Sequence, residues 1–540
     1  MRKLISFLLA GSCLAACASL DSDAQAVETE LPAKRPNFIV VLTDDQRYDA
    51  LGILNPDLNT PNMDRLAREG IHFQNAFVTT SLCSPSRAAL LTGRPMREHG
   101  VVDNNSDLAP ELDTFPQALQ RAGYDTALFG KWHMGGEDSS PRPGFDRWVS
   151  FPGQGYYYPR GMFGEVPYLN VDGEHVDQKG YITDELTDYA LDWLNGREGD
   201  EDPFLVYLSH KAVHAFFEPA ERHDGMYSDM NIVDVTPSEE EMTSEPMWVQ
   251  NQRNSWHGVD YPYHSQLSLT DYKRDYLATL TAVDESLGEL VQWVEESGEA
   301  DNTYIVFLSD NGFMFGEHGL IDKRNAFEES MRIPLLVWGP GNVRTGVTET
   351  ASVSMLDIAP TLIELAGAQT DAPLKGQSIV PLLTSEVESW DDEVIYEYFW
   401  EFNYPHTPTQ FAIRDGRWKY IRLHGVWDTD ALYDLENDPG ETNNLINEPE
   451  FLEVRLDLQQ RLHAAIERGD GKGEVPFTYK FNQGAVFRSD KGPEAAEFPD
   501  RWVRGQGDPE RLEHVLPDSV DKAAKLKGIN KALEANQDQP

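Results

Sequence analysis

Cysteine is scarce in this chain: 540 residues contain three, at Cys13, Cys17 and Cys83. Two lie in the first twenty residues, so a disulfide framework and a cysteine-based zinc site are both excluded. Basic side chains are few as well, 45 against 91 acidic ones, for a net charge of −46. That balance leaves no broad basic surface and argues against a nucleic-acid partner. An anionic substrate must instead be held by a local pocket of cations. Long apolar runs are missing too. After the N-terminus no stretch approaches the ~18 residues of a membrane span. Core-forming residues are not lacking, at 40% hydrophobic and 11% aromatic. The length suits one large α/β domain with a smaller companion, or three to four domains of about 150 residues.

The first residues read as an export signal. Arg2 and Lys3 precede an apolar stretch over 4–10, and Leu14-Ala15-Ala16-Cys17 follows. This resembles the lipobox of bacterial lipoproteins, in which the cysteine is acylated. Cleavage after Ala26 is the alternative. The expected organisation is a signal over 1–16, a tether over 17–34 and a catalytic domain over 35–385. A second domain over 386–470 and a charged tail over 471–540 follow. The implied location is the cell envelope, with the outer membrane as the anchoring surface.

Four short apolar runs, at 37–42, 124–129, 204–208 and 304–308, read as strands of a parallel sheet covered on both faces. Helical patterns over 114–122, 182–194 and 271–297 lie between them, which predicts an α/β domain. In such folds ligands bind beyond the carboxyl ends of the strands. Those ends carry Asp44 and Asp45, Lys131 and His133, His214, and Asp310 and Asn311. Carboxylates with an amide oxygen favour calcium or magnesium over zinc. Cations beside them suit a phosphate or sulfate ester. Each pair alone is also a common turn or cap; the four together make a coherent polar cluster.

The stretch Cys83-Ser84-Pro85-Ser86-Arg87-Ala88-Ala89-Leu90-Leu91-Thr92-Gly93-Arg94 predicts a helix that starts near Pro85 and stops at Gly93. Cys83 at a helix N-terminus would have a lowered thiol pKa; a buried structural cysteine is the alternative and the usual fate of a lone Cys.

This stretch resembles the signature of the type I sulfatases of the alkaline phosphatase-like superfamily. Asp44-Asp45, Gly130-Lys131-Trp132-His133, Ser309-Asp310-Asn311-Gly312 and Asp322-Lys323-Arg324 are similar to further motifs of that family. The resemblance implies a large mixed sheet sandwiched by helices, with a smaller antiparallel-sheet subdomain after it. It implies conversion of Cys83 to formylglycine by a separate maturing enzyme. One calcium ion is then held by Asp44, Asp45, Asp310, Asn311 and the modified Cys83. Arg87 and Lys131 orient the aldehyde hydrate, and His133 bonds or deprotonates it. Lys323 and His214 face the leaving group, with His210 as the competing histidine. His318 and His406 are candidate substrate contacts. Tyr156, Tyr157, Tyr158 and the 248–256 tryptophans could stack on sugar or simply pack. The N-acetylglucosamine-6-sulfatase-like branch of polysaccharide sulfatases that it resembles acts on glycosaminoglycans or algal polysaccharides, so the expected substrate is a sulfated carbohydrate. A phosphonate monoester or phosphodiester hydrolase and a glycan-binding lipoprotein are the alternatives.

Short strands over 393–400, 411–414, 418–423 and 432–435, with an amphipathic helix over 452–468, are expected for the second domain.

Overall fold

The computed structural model describes residues 34–468, apart from 162–163, 198, 234, 236, 253–267, 402–403, 405 and 425–427. The signal and anchor at Cys17, Trp256 and the tail over 471–540 lie outside the described residues. No helix among the described residues is long and apolar enough to cross a membrane.

The four apolar runs become β1 (Asn37–Thr43), β3 (Asp125–Gly130), β7 (Phe204–Ser209) and β8 (Thr303–Ser309). They are immediate neighbours, in the order β8-β1-β7-β3, and all are parallel. Nearly every residue in them is buried, because helices cover both faces. Beyond β3 the sheet continues through β4 (Arg147–Ser150), β5 (Tyr168–Val171) and β6 (Glu174–Asp177). Beyond β8 it continues through β10 (Leu335–Trp338), β2 (Ile71–Phe77) and β11 (Val347–Ser354), with β9 (Arg332–Ile333) on β2. The 11-stranded sheet is mixed: β10 is antiparallel to both β8 and β2, and β5 to β4.

Local chemistry sets the covering helices. Phe115–Arg121 starts at a capping box in which Gln117 Oε1 accepts from the Thr114 N–H at 2.9 Å. The 29-residue helix Leu269–Ser297 is capped by Ser268 Oγ, which accepts from Asp271 N–H at 3.0 Å, and stops at Gly298.

A separate antiparallel sheet holds β12 (Val394–Tyr398), β13 (Thr409–Arg414), β14 (Trp418–His424) and β15 (Ala431–Asp434). Helix Leu452–Arg468 packs on it through Leu458 and Leu462. This sheet meets the loops beside β8 and β2. Glu397 N–H donates to Thr79 O at 2.8 Å, and Lys419 Nζ to Ala326 O at 2.9 Å.

Candidate active site

The site is built across four adjacent strand ends in the order of the sheet: Asp310 and Asn311 after β8, Asp44 and Asp45 after β1, His214 after β7, Lys131 and His133 after β3. Backbone bonds lock these ends together. Asp310 N–H donates to Thr43 O at 3.0 Å, Asp44 N–H to Ala212 O at 3.0 Å, and Lys131 N–H to Ser209 O at 2.7 Å. Gly130 is required at its turn: its φ is +113°, and a Cβ there would lie 1.9 Å from Ser209 O. Gly312 is equally constrained, since a Cβ would lie 2.1 Å from Glu329 O.

Helix Cys83–Thr92 presents its first turn to these ends, and Gly93 closes it with φ +62°. Cys83 Sγ is 3.5 Å from Asp44 Oδ1 and 3.0 Å from Lys323 Nζ. Arg87, one turn on, donates from Nε to Asp310 Oδ2 at 2.8 Å and from Nη1 to Lys131 O at 2.8 Å and Ser209 Oγ at 2.5 Å. Lys131 Nζ is bonded to Asp44 Oδ2, and Lys323 Nζ to Asp45 Oδ1. Asn311 Nδ2 donates to Asp45 Oδ1 at 2.6 Å. His133, with φ +59°, lies with Nδ1 3.4 Å from Ser84 Oγ.

The two histidines after β7 part ways. His214 Nδ1 contacts Ala215 O at 2.5 Å, which turns Nε2 inward, 4.0 Å from Asp45 Oδ2. His210 Nε2 instead lies 3.2 Å from Ser286 Oγ on the long helix. Burial pushes both imidazoles down; His214 also feels Asp44, Lys131, Lys323 and Lys211, whereas burial is the only cause at His210.

The electrostatics correct one expectation. Burial, then the Asp44 charge, pushes the Cys83 thiol up to about 12, against the pull of Lys131 and Lys323. A helix N-terminus does not make a thiolate here, because its partial charge cannot offset full desolvation beside carboxylates. Burial would raise Asp44, yet Lys131, His214, Arg87 and Lys323 hold it well below the usual range. Burial and the nearby Asp44 and Asp310 push Asp45 up to about 7 despite Lys323.

The donor set suits a hard cation. Oxygens of Asp44, Asp45 and Asp310 lie within 4.8 Å of one another, and buried Asn311 Oδ1 has no hydrogen-bond partner. An oxygen-only donor set of this kind suits calcium or magnesium.

Three participants went unassigned in the sequence. Gln154 Oε1 accepts from Lys131 Nζ at 2.5 Å, and Ser209 Oγ accepts from Arg87. Lys211 Nζ rests 4.6 Å from the centre of the Tyr157 ring, and Tyr157 donates its hydroxyl proton to His214 O at 2.8 Å. Only a Gly-rich stretch marks Gln154, and nothing local marks the other contacts. His318 is buried against Glu245, while His406 is exposed in the β12–β13 connection. Trp248 packs on Phe327, and Tyr157 and Tyr158 pack on Tyr181.

Residues 36–368 match the sulfatase family model, and 316–468 match the model for the N-sulphoglucosamine sulphohydrolase C-terminal region. The chain belongs to the sulfatase family. It is a sulfuric ester hydrolase of the alkaline phosphatase-like superfamily. This sulfatase is 34% identical over 515 residues to the N-acetylglucosamine-6-O-sulfatase of Bacteroides thetaiotaomicron, covering 84% of this chain and 89% of the relative. It is 29% identical to the ulvan-active sulfatase of Formosa agariphila, covering 85% and 86%. Its fold matches the structure of BT4656 in complex with its substrate D-glucosamine-2-N,6-O-disulfate, with a TM-score of 0.72 and 31% identity. That match covers 82% of this chain and all of the other.

Proposed function

We propose that this sulfatase removes sulfate from a sulfated carbohydrate, with Cys83 matured to formylglycine and one calcium ion held by Asp44, Asp45, Asp310 and Asn311. The observation that carries the reading is the placement of Cys83. It stands at a helix start, 3.0 Å from Lys323 Nζ, with its thiol held protonated. A protonated thiol is a poor nucleophile at neutral pH; an aldehyde hydrate at the same atom is not limited in that way. The sugar sulfates named for the relatives support the substrate class.

In this reading His214 Nε2, close to residue 83, takes the proton of one hydrate hydroxyl as that oxygen attacks sulfur, and the bond from sulfur to the sugar oxygen breaks. His214 passes the same proton on to the leaving sugar oxygen. Lys131 and Lys323 balance the charge on the sulfate oxygens. Arg87 fixes the first helical turn against Asp310 and the β3 and β7 ends. His133 then takes the proton of the second hydroxyl, the carbonyl re-forms, and the carbon–oxygen bond to sulfate breaks. Calcium, when bound, supplies positive charge that favours the ionised hydroxyl. The lipid anchor at Cys17, export to the cell envelope and the separate maturing enzyme belong to this proposal and rest on the sequence.

The test is mass spectrometry of the peptide containing Cys83, followed by a panel of 6-sulfated N-acetylglucosamine, sulfated oligosaccharides and a phosphonate monoester. An aldehyde at residue 83 with preferential sulfate release supports the reading. A free thiol in fully active enzyme, or faster turnover of the phosphonate, overturns it.

A further inference from the structure

A second buried cluster lies apart from the strand-end site. His318 is on the turn after β8, Glu329 on helix Glu328–Met331, and Glu441 on the segment after β15. Their ligand atoms lie within 4.8 Å of one another, and all three residues are buried. His318 Nδ1 is bonded to Glu245 Oε1 at 2.7 Å, and its ring stacks on Phe327 with centroids 3.6 Å apart. That fixes the ring plane and leaves Nε2 as the nitrogen not yet bonded. Nε2 of His318 and Oε2 of Glu329 are both buried without a hydrogen-bond partner. A buried polar atom left without a partner costs about 1–3 kcal/mol.

The nearby cations are committed elsewhere. Arg47 pairs with Asp49 and Glu317. Arg414 pairs with Glu328, and Lys419 is shared between Glu328 and Glu441 at 2.8 Å each. Glu441 also accepts from Glu328 N–H at 2.7 Å, which holds its carboxylate in place. Three carboxylates, Glu245, Glu329 and Glu441, therefore surround one imidazole and, against its burial, push it up to about 9; the shared Lys419 and the Arg47 charge act against them. The backbone adds a parallel. Among the described residues five non-glycines have positive φ: Asp45 and His133 in the first site, His318 and Glu441 here, and Asp172 in the β5–β6 turn.

We infer that His318, Glu329 and Glu441 form a second cation site, taking a first-row divalent ion such as zinc. One imidazole nitrogen with two carboxylate oxygens is a zinc-type donor set, whereas the strand-end site offers oxygen alone. Glu245 on the far ring nitrogen is the carboxylate that such a histidine ligand commonly carries. Zinc ligand atoms stand about 3.3 Å apart around the ion, so shifts of about an ångström complete the site. The ion ties the turn after β8 and helix Glu328–Met331 to the segment that follows the small sheet. It takes no part in ester cleavage, and the inference does not rest on the substrate reading.

The experiment uses the untagged full chain, stripped with chelator and then equilibrated with calcium and zinc. Elemental analysis should find about one zinc per chain, and Glu329→Gln or His318→Gln should lower it at least about tenfold with calcium content unchanged. Anomalous scattering at the zinc edge from wild-type crystals should place the ion between His318 Nε2 and Glu329 Oε2, a readout independent of how the variants fold. Wild-type protein without bound zinc, zinc kept by both variants, or an anomalous peak elsewhere overturns the inference.

Discussion

Lys323 Nζ stands 3.0 Å from Cys83 Sγ and is bonded at the same time to Asp45. One ammonium thus touches both Cys83, the proposed nucleophile position, and a carboxylate of the proposed calcium site. Lys323→Met removes that charge from the place where negative charge develops. The expected loss in kcat is about 10²–10³-fold with a smaller change in KM. Steady-state kinetics on a sulfated monosaccharide checks it.

Arg87 is fully buried and carries the only guanidinium bonded to Asp310 among the described residues. Arg87→Met leaves that carboxylate without its partner, at an expected cost of about 3–5 kcal/mol. Urea unfolding in the presence of calcium reads the loss. A stability within about 1 kcal/mol of wild type would contradict the structural role given to this arginine.

Calcium binding to the folded state alone stabilises it by mass action, by about 2.7 kcal/mol at a hundredfold excess over Kd. Chelation should abolish turnover and lower the melting temperature, and calcium alone should restore both. Restoration by magnesium but not calcium would assign the site to the smaller ion.

His99 gives a pH dependence outside the active site. Its Nδ1 accepts from Val101 N–H at 3.1 Å, so the ring must be neutral there. Burial, aided by Arg94, pushes it down to about 3 from 6.5. Above pH 6.5 neither folded nor unfolded chain holds the proton. Below it only the unfolded chain does, so stability falls as pH drops toward 3. His99→Gln should flatten this part of the stability profile, as measured by chemical denaturation between pH 7 and pH 4.

Much of the strand-end cluster was legible because of how parallel strands are buried. β1, β3, β7 and β8 are covered on both faces, so each is an unbroken apolar run whose end is marked by the first polar residue. The remaining strands carry no such mark. β2 interrupts its run with Gln74 and Asn75, and β11 alternates exposed with half-buried residues through Thr350. Contacts made only in three dimensions were silent as well. Nothing near Gln154 says that Lys131 will reach it, and nothing near Ser286 says that it will draw His210 away from the site. Helix position at Cys83 is readable from local residues, whereas the desolvation that raises its thiol depends on the whole surrounding fold.

The clustered groups after β8, β1, β7 and β3 are spaced by the sheet itself, about 4.8 Å from one strand to the next. Loop length therefore does not set the spacing of these strand-end groups. A descendant of this chain could lengthen, shorten or exchange segments other than those that carry Cys83, Arg87 and Lys323 while inheriting the strand-end cluster intact.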